Sequence, residues 1–123
     1  MAAQVGSLER LKHAFEADPI DPQARAAEGE IGALFGSGEN TRDTLLGVRC
    51  KQRACQLELR WSPARPYSFM AAGMELKDKI SEDMAVEPIG VPDNTGARRM
   101  YVYVARSGYL PEDFDPVPAA PAP

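Results

Sequence analysis

Residues 44–61 read TLLGVRCKQRACQLELRW, and the reading of this stretch decides the fold. Apolar and polar residues alternate on both sides of a short basic loop, the pattern of a half-buried β-hairpin. With Cys50 opposite Cys55 across the loop Lys51-Gln52-Arg53-Ala54, Val48 faces Leu57, Leu46 faces Leu59 and Thr44 faces Trp61. Side chains alternate with period two, so Leu46, Val48, Cys50, Cys55, Leu57 and Leu59 share one face. Leu45, Gly47, Arg49, Gln56, Glu58 and Arg60 share the other. A slip of one residue would mix the two sets, which specifies the register.

Upstream, Ser7 caps a short helix through Leu8, Leu11 and Phe15, and Ala17-Asp18-Pro19-Ile20 breaks it. Asp21-Pro22 then opens a second helix whose apolar stripe is Ala24, Ala27, Ile31, Leu34 and Phe35, ended by Gly36-Ser37-Gly38. Downstream of Trp61, Ser62-Pro63-Ala64-Arg65-Pro66 is a rigid turn before a third helix over residues 67–81. Phe69, Ala72, Leu76 and Ile80 form its inward face. Met84 to Ile89 is a weak strand signal, and Pro88 limits it to an edge or a strand end. Pro92-Asp93-Asn94-Thr95-Gly96 is a turn, and Arg98 to Arg106, RRMYVYVAR, is the last strand. Both of its faces are fairly apolar, which places it centrally in the sheet.

The order α-α-β-β-α-β-β defines an α+β domain: a mostly antiparallel sheet of about four strands with helices on one face. Residues 1–110 make a single domain. Residues 111–123, PEDFDPVPAAPAP, form a proline-rich tail without periodicity, expected to be extended or disordered. There is no internal repeat.

The formal charge is −4, and 26% of residues are charged. The charge is unevenly spread. Residues 42–66 carry six basic and two acidic groups, whereas residues 1–41 carry three basic and seven acidic. The hairpin is a basic island in an acidic chain. No apolar run approaches the roughly 20 residues that cross a bilayer, so no transmembrane segment is expected. Val5-Gly6-Ser7-Leu8-Glu9-Arg10 is too charged for a signal peptide. The sequence as written therefore reads as cytoplasmic, or as periplasmic and exported where a leader has been removed.

Three groups of residues are candidates for chemistry. Directly opposed cysteines at a non-hydrogen-bonded hairpin position have Cα atoms about 4.5–5.5 Å apart, within disulfide range. Cys50 and Cys55 thus read as a structural disulfide, as reduced buried thiols, or as a redox pair. Thiol oxidoreductases use Cys-x-x-Cys at a helix start, and here both spacing and context differ. Two thiolates also lack the further ligands a metal site needs, and no cofactor motif is present. His13, the sole histidine, lies on the polar side of the first helix, and Asp18, Asp21, Glu28 and Glu30 read as caps and helix-surface groups. Gly36-Ser37-Gly38 follows a helix, so it is no phosphate loop. These residues form no catalytic set, and the domain reads as non-enzymatic.

The third group is the basic island. Arg49, Arg53 and Arg60, with Arg98, Arg99, Tyr101 and Tyr103 from the last strand, would form a basic, aromatic sheet face. Such a face is either simply solvated or suits an acidic protein partner, an anionic polymer or a single-stranded nucleic acid, the last disfavoured by the negative net charge.

Phe15-Glu16-Ala17-Asp18-Pro19-Ile20-Asp21, the Ala/Glu-rich helix after it, Val48-Arg49-Cys50 with its Cys-x4-Cys hairpin, Val102 to Gly108, and Leu110-Pro111 together resemble a group of small proteobacterial, especially myxobacterial, proteins. These are exported proteins or lipoproteins of uncharacterised function. The resemblance implies that Cys50 and Cys55 pair as a disulfide, and it brings no activity. The expected function is a binding or assembly module for a protein partner. A domain that switches a Cys50–Cys55 disulfide with redox state is the alternative.

Overall fold

The computed structural model describes residues 2–38, 41, 44–81 and 83–106. Its elements are α1 (Ala2–Ala17), α2 (Ala24–Gly36), β1 (Leu45–Cys50), β2 (Ala54–Trp61), α3 (Pro66–Lys79), β3 (Met84–Ile89) and β4 (Arg98–Ala105). The expected order holds, and the fold is α+β. The strands lie in the order β1-β2-β4-β3, each antiparallel to its neighbour. The strand with two apolar faces is therefore central, and the strand with Pro88 is an edge. The tail from residue 111 lies outside the described residues.

The hairpin has the expected closed end: Cys50 opposes Cys55, Val48 opposes Leu57 and Gly47 opposes Glu58. Its open end differs. Between Leu45 and Gly47 the register shifts by one, so Leu45, not Leu46, opposes Leu59. The Arg60 N–H donates to the Thr44 carbonyl at 2.9 Å, which moves Thr44 away from Trp61. The extra residue, Leu46, is 48% exposed. A β-bulge lets one strand carry an additional residue at the cost of a local ladder break. Here it turns Leu45 onto the core and leaves Thr44 buried.

α2 and α3 cover one face of the sheet. Ala24, Ile31 and Phe35 of α2 and Ala72 and Leu76 of α3 pack with Cys50, Cys55, Leu57, Leu59, Val102 and Val104. Fully burying a Leu, Ile or Phe side chain stabilises by about 1.5–3 kcal/mol, so this cluster is the main core. α2 begins later than its Asp-Pro signal indicated. Asp21 instead makes a turn, accepting the Gln23 N–H on its side chain and the Ala24 N–H on its carbonyl. At its other end Thr41 donates its hydroxyl to the Phe35 carbonyl, satisfying an open helical acceptor.

The expectation that all helices share one face fails for α1. Leu11, Ala14 and Phe15 pack on Ala54, Tyr103 and Ala105, the side chains that alternate away from the main core. The cause is the central strand itself. Tyr103 and Ala105 bring apolar surface to the second face, and only another helix can remove it from water. α1 supplies that cover over the hairpin-loop half of the face.

Candidate functional site

α1 divides the second face in two. Beneath it, Tyr103 is only 2% exposed. Its ring meets Phe15 and Tyr101 edge-on, with centroids 5.9 and 6.2 Å away. The Gln56 side-chain amide donates to its hydroxyl at 3.0 Å. Burial pushes this phenol above its ordinary pKa of 10.0, although the Gln56 bond works in the opposite direction. The Lys12 ammonium bonds the Glu87 carboxylate at 2.8 Å, tying α1 to β3, and that bond raises the lysine's pKa.

The other half of the face is open. Strand register sets three rows across β1, β2 and β4: Arg49–Gln56–Tyr103, Gly47–Glu58–Tyr101, and Arg60–Arg99. A hollow of about 250 Å³ lies over the middle row, lined by Gly47, Val48, Arg49, Gln56, Glu58 and Tyr101. Arg99 donates to Glu58 at 3.2 Å across its wall. Arg49 lies 5.8 Å from the centroid of Phe15, where α1 ends, and the Lys51 ammonium lies 4.7 Å from the same ring. Neither Arg49 nor Arg60 makes an ion pair among the described residues.

Of the seven residues proposed from sequence for a partner surface, Arg49, Arg60, Arg99 and Tyr101 do come together here. The other three do not. Tyr103 is covered by α1. Arg98 alternates to the opposite face, across from Trp61, and donates to the Gly90 carbonyl at 3.3 Å. Arg53 turns inward to Asp18: its Nε and Nη2 donate to the carboxylate at 3.0 and 2.8 Å, and its backbone N–H at 3.1 Å.

That pair belongs to a clamp around the hairpin loop. Arg106 donates to Asp21 at 2.9 Å and to the Lys51 and Gln52 carbonyls at 2.8 and 3.1 Å. The Arg106 contact, above all, holds the Asp21 carboxyl below its ordinary pKa. Glu28 accepts the outward-pointing Cys50 N–H at 2.8 Å, occupying a donor that the β1 edge would otherwise expose. Three of the four carboxylates read as helix caps or surface groups are thus fasteners of the loop. Glu28 faces the sheet edge because α2 runs along β1, which no periodicity of α2 alone reveals. His13 is exposed on the outer side of α1. Among the described residues no three His, Cys, Asp or Glu side chains are grouped to hold a metal ion.

Cys50 and Cys55 are joined in a disulfide with their Cα atoms 4.0 Å apart, and both residues are buried. The Lys51 N–H donates to the Ala54 carbonyl at 3.0 Å, so the cysteines occupy the adjoining non-hydrogen-bonded pair. No described helix is long and apolar enough to cross a membrane. Comparison with protein-family models, with curated proteins and with solved structures finds no match.

Proposed function

We propose that this domain is a non-enzymatic binding or assembly module that receives a protein partner on the open half of its second sheet face. One observation carries the reading. Arg49 and Arg60 reach solvent and Arg99 and the half-buried Tyr101 lie beside them at the margin of α1, while Asp18, Asp21 and Glu28 are spent elsewhere. Glu58 bonds Arg99, and Asp93 lies within electrostatic reach of Arg60. An arginine-rich patch beside a half-buried ring is well suited to recognition, because the guanidinium offers bidentate bonds and a planar stacking surface.

The buried disulfide acts in this reading as a staple of the hairpin. Such bonds persist in oxidising compartments, which supports export, as does the resemblance to exported myxobacterial proteins. Burial of both cysteines disfavours a redox switch, whose cysteines are characteristically accessible.

The test is partner capture. The double substitution Arg49→Glu, Arg60→Glu keeps its circular dichroism and Trp61 fluorescence, since both side chains reach solvent and neither makes an ion pair within 4 Å among the described residues. It loses capture of a protein that the unaltered chain retains and that cross-linking maps to β1 or β2. Capture at unchanged yield sinks the proposal.

A further inference from the structure

The geometry points to the form of the ligand: an extended acidic peptide segment of another protein, with two carboxylate side chains four residues apart and one aliphatic side chain midway. This rests on the binding-module reading and adds the chemistry of what is bound.

The three rows set the spacing. Gln56, beside Arg49, and Arg60 are four residues apart on β2. At about 3.3 Å per residue, plus one inter-strand step of about 4.8 Å, the Cα atoms of Arg49 and Arg60 are about 14 Å apart. In an extended ligand, side chains i, i+2 and i+4 point the same way, and i to i+4 spans about 13 Å. Carboxylates at i and i+4 therefore meet the two arginines at the ends of the patch. The side chain at i+2 falls over the middle row.

That row is built to accept it. Gly47 contributes no side chain, and a Cβ placed on it would meet nothing within 4 Å. The Tyr101 ring forms one wall. Glu58 lines the hollow with Val48, Gln56 and Tyr101, and its carboxylate is bonded to Arg99 at 3.2 Å. Acidic ends are required because guanidinium–carboxylate bonds are charge-assisted and bidentate. Single-stranded nucleic acid would seek the same cations, but it also stacks its bases on successive rings. Tyr103 lies under α1, which leaves only the half-buried Tyr101 ring, and Glu58 puts a negative charge at the centre of the patch.

The experiment uses the full chain and two fluorescein-labelled peptides. One contains Glu-Thr-Leu-Thr-Glu between glycine–serine flanks; the other has the same composition with its glutamates adjacent. Anisotropy at low salt is expected to show the spaced peptide binding about tenfold or more tightly, one poorly met guanidinium–carboxylate pair being enough for that factor. Arg49→Glu removes the preference. Gly47→Leu, which fills the hollow without changing charge, weakens the spaced peptide by a similar factor. Equal affinity for the two peptides overturns the inference without reference to any variant's folding. So does an oligothymidine that binds more tightly than either peptide. If the peptides fail while Arg49→Glu, Arg60→Glu still abolishes partner capture, the ligand assignment falls and the module reading stands; if capture is also unchanged, both fall.

Discussion

Asp18→Ala is the substitution that most directly probes how α1 is held. The Asp18 side chain is 8% exposed and the Arg53 side chain 19%. Removing the carboxylate deletes three hydrogen bonds and leaves a guanidinium largely out of water beside α1. Breaking a buried pair from one side costs about 3–5 kcal/mol, and the fifth of Arg53 that reaches solvent places this case at about 3 kcal/mol. For a domain of this size that lowers Tm by about 12–15 °C. Urea unfolding followed by Trp61, the only tryptophan, measures the loss. Arg53→Met and the double variant complete a cycle, with an expected coupling of about 2 kcal/mol because the two side chains bond directly. A loss below about 1 kcal/mol with no coupling would place Asp18–Arg53 among ordinary exposed ion pairs and refute the clamp. The consequence reaches the functional surface, since Asp18 follows directly on α1, and α1 decides which half of the sheet is bare.

Three further predictions concern the same framework. Reducing the disulfide releases a short loop, so the chain-entropy model gives a loss of about 2 kcal/mol, read as a lower urea midpoint in the presence of a dithiol. Gly96 has φ +83°, and a Cβ there would lie 3.2 Å from Pro63 Cγ. Gly96→Ala is thus expected to cost about 1–2 kcal/mol, while Asn94→Ala, whose backbone makes no such demand, stays within about 0.5 kcal/mol in the same unfolding assay. Because burial raises the Tyr103 pKa, the native state holds that proton more tightly than the unfolded chain does. Its contribution is complete below pH 10 and is lost as pH climbs through the raised value. An alkaline titration at 295 nm should show a late component that Tyr103→Phe removes.

Much of the architecture is legible in local pattern because it is local. The alternation around Cys50 and Cys55, the proline-capped α3 and the Asp93–Gly96 turn each depend on a few neighbouring residues. The bulge escapes such a reading: Leu45 and Leu46 are both leucines, and period two accepts either one facing inward. The choice is made by α2, which packs Leu45 against the core. Asp18 and Glu28 escape for a related reason, since their partners are 35 and 22 residues away. A helical wheel assigns such carboxylates to water.

The face of α1 is the instructive case, because the signal for it lay in another element. Tyr101, Tyr103 and Ala105 are too apolar for the solvated side of a sheet, and this is visible in the strand alone. An exposed aromatic ladder and a helix-covered one have the same sequence pattern; they differ in whether a free amphipathic helix can reach. α2 and α3 are both committed to the opposite face, and α1 is the helix that remains. Its inward residues Leu11, Ala14 and Phe15 stop at Phe15, four residues before Pro19 breaks the chain direction. The cover therefore ends at Arg49, which meets the Phe15 ring at the boundary. The length of α1, set by that break, fixes how much of the basic and aromatic surface is left for a partner. Of the seven residues proposed from sequence, α1 covers Tyr103, strand alternation turns Arg98 away and Asp18 takes Arg53, which leaves three arginines and one tyrosine.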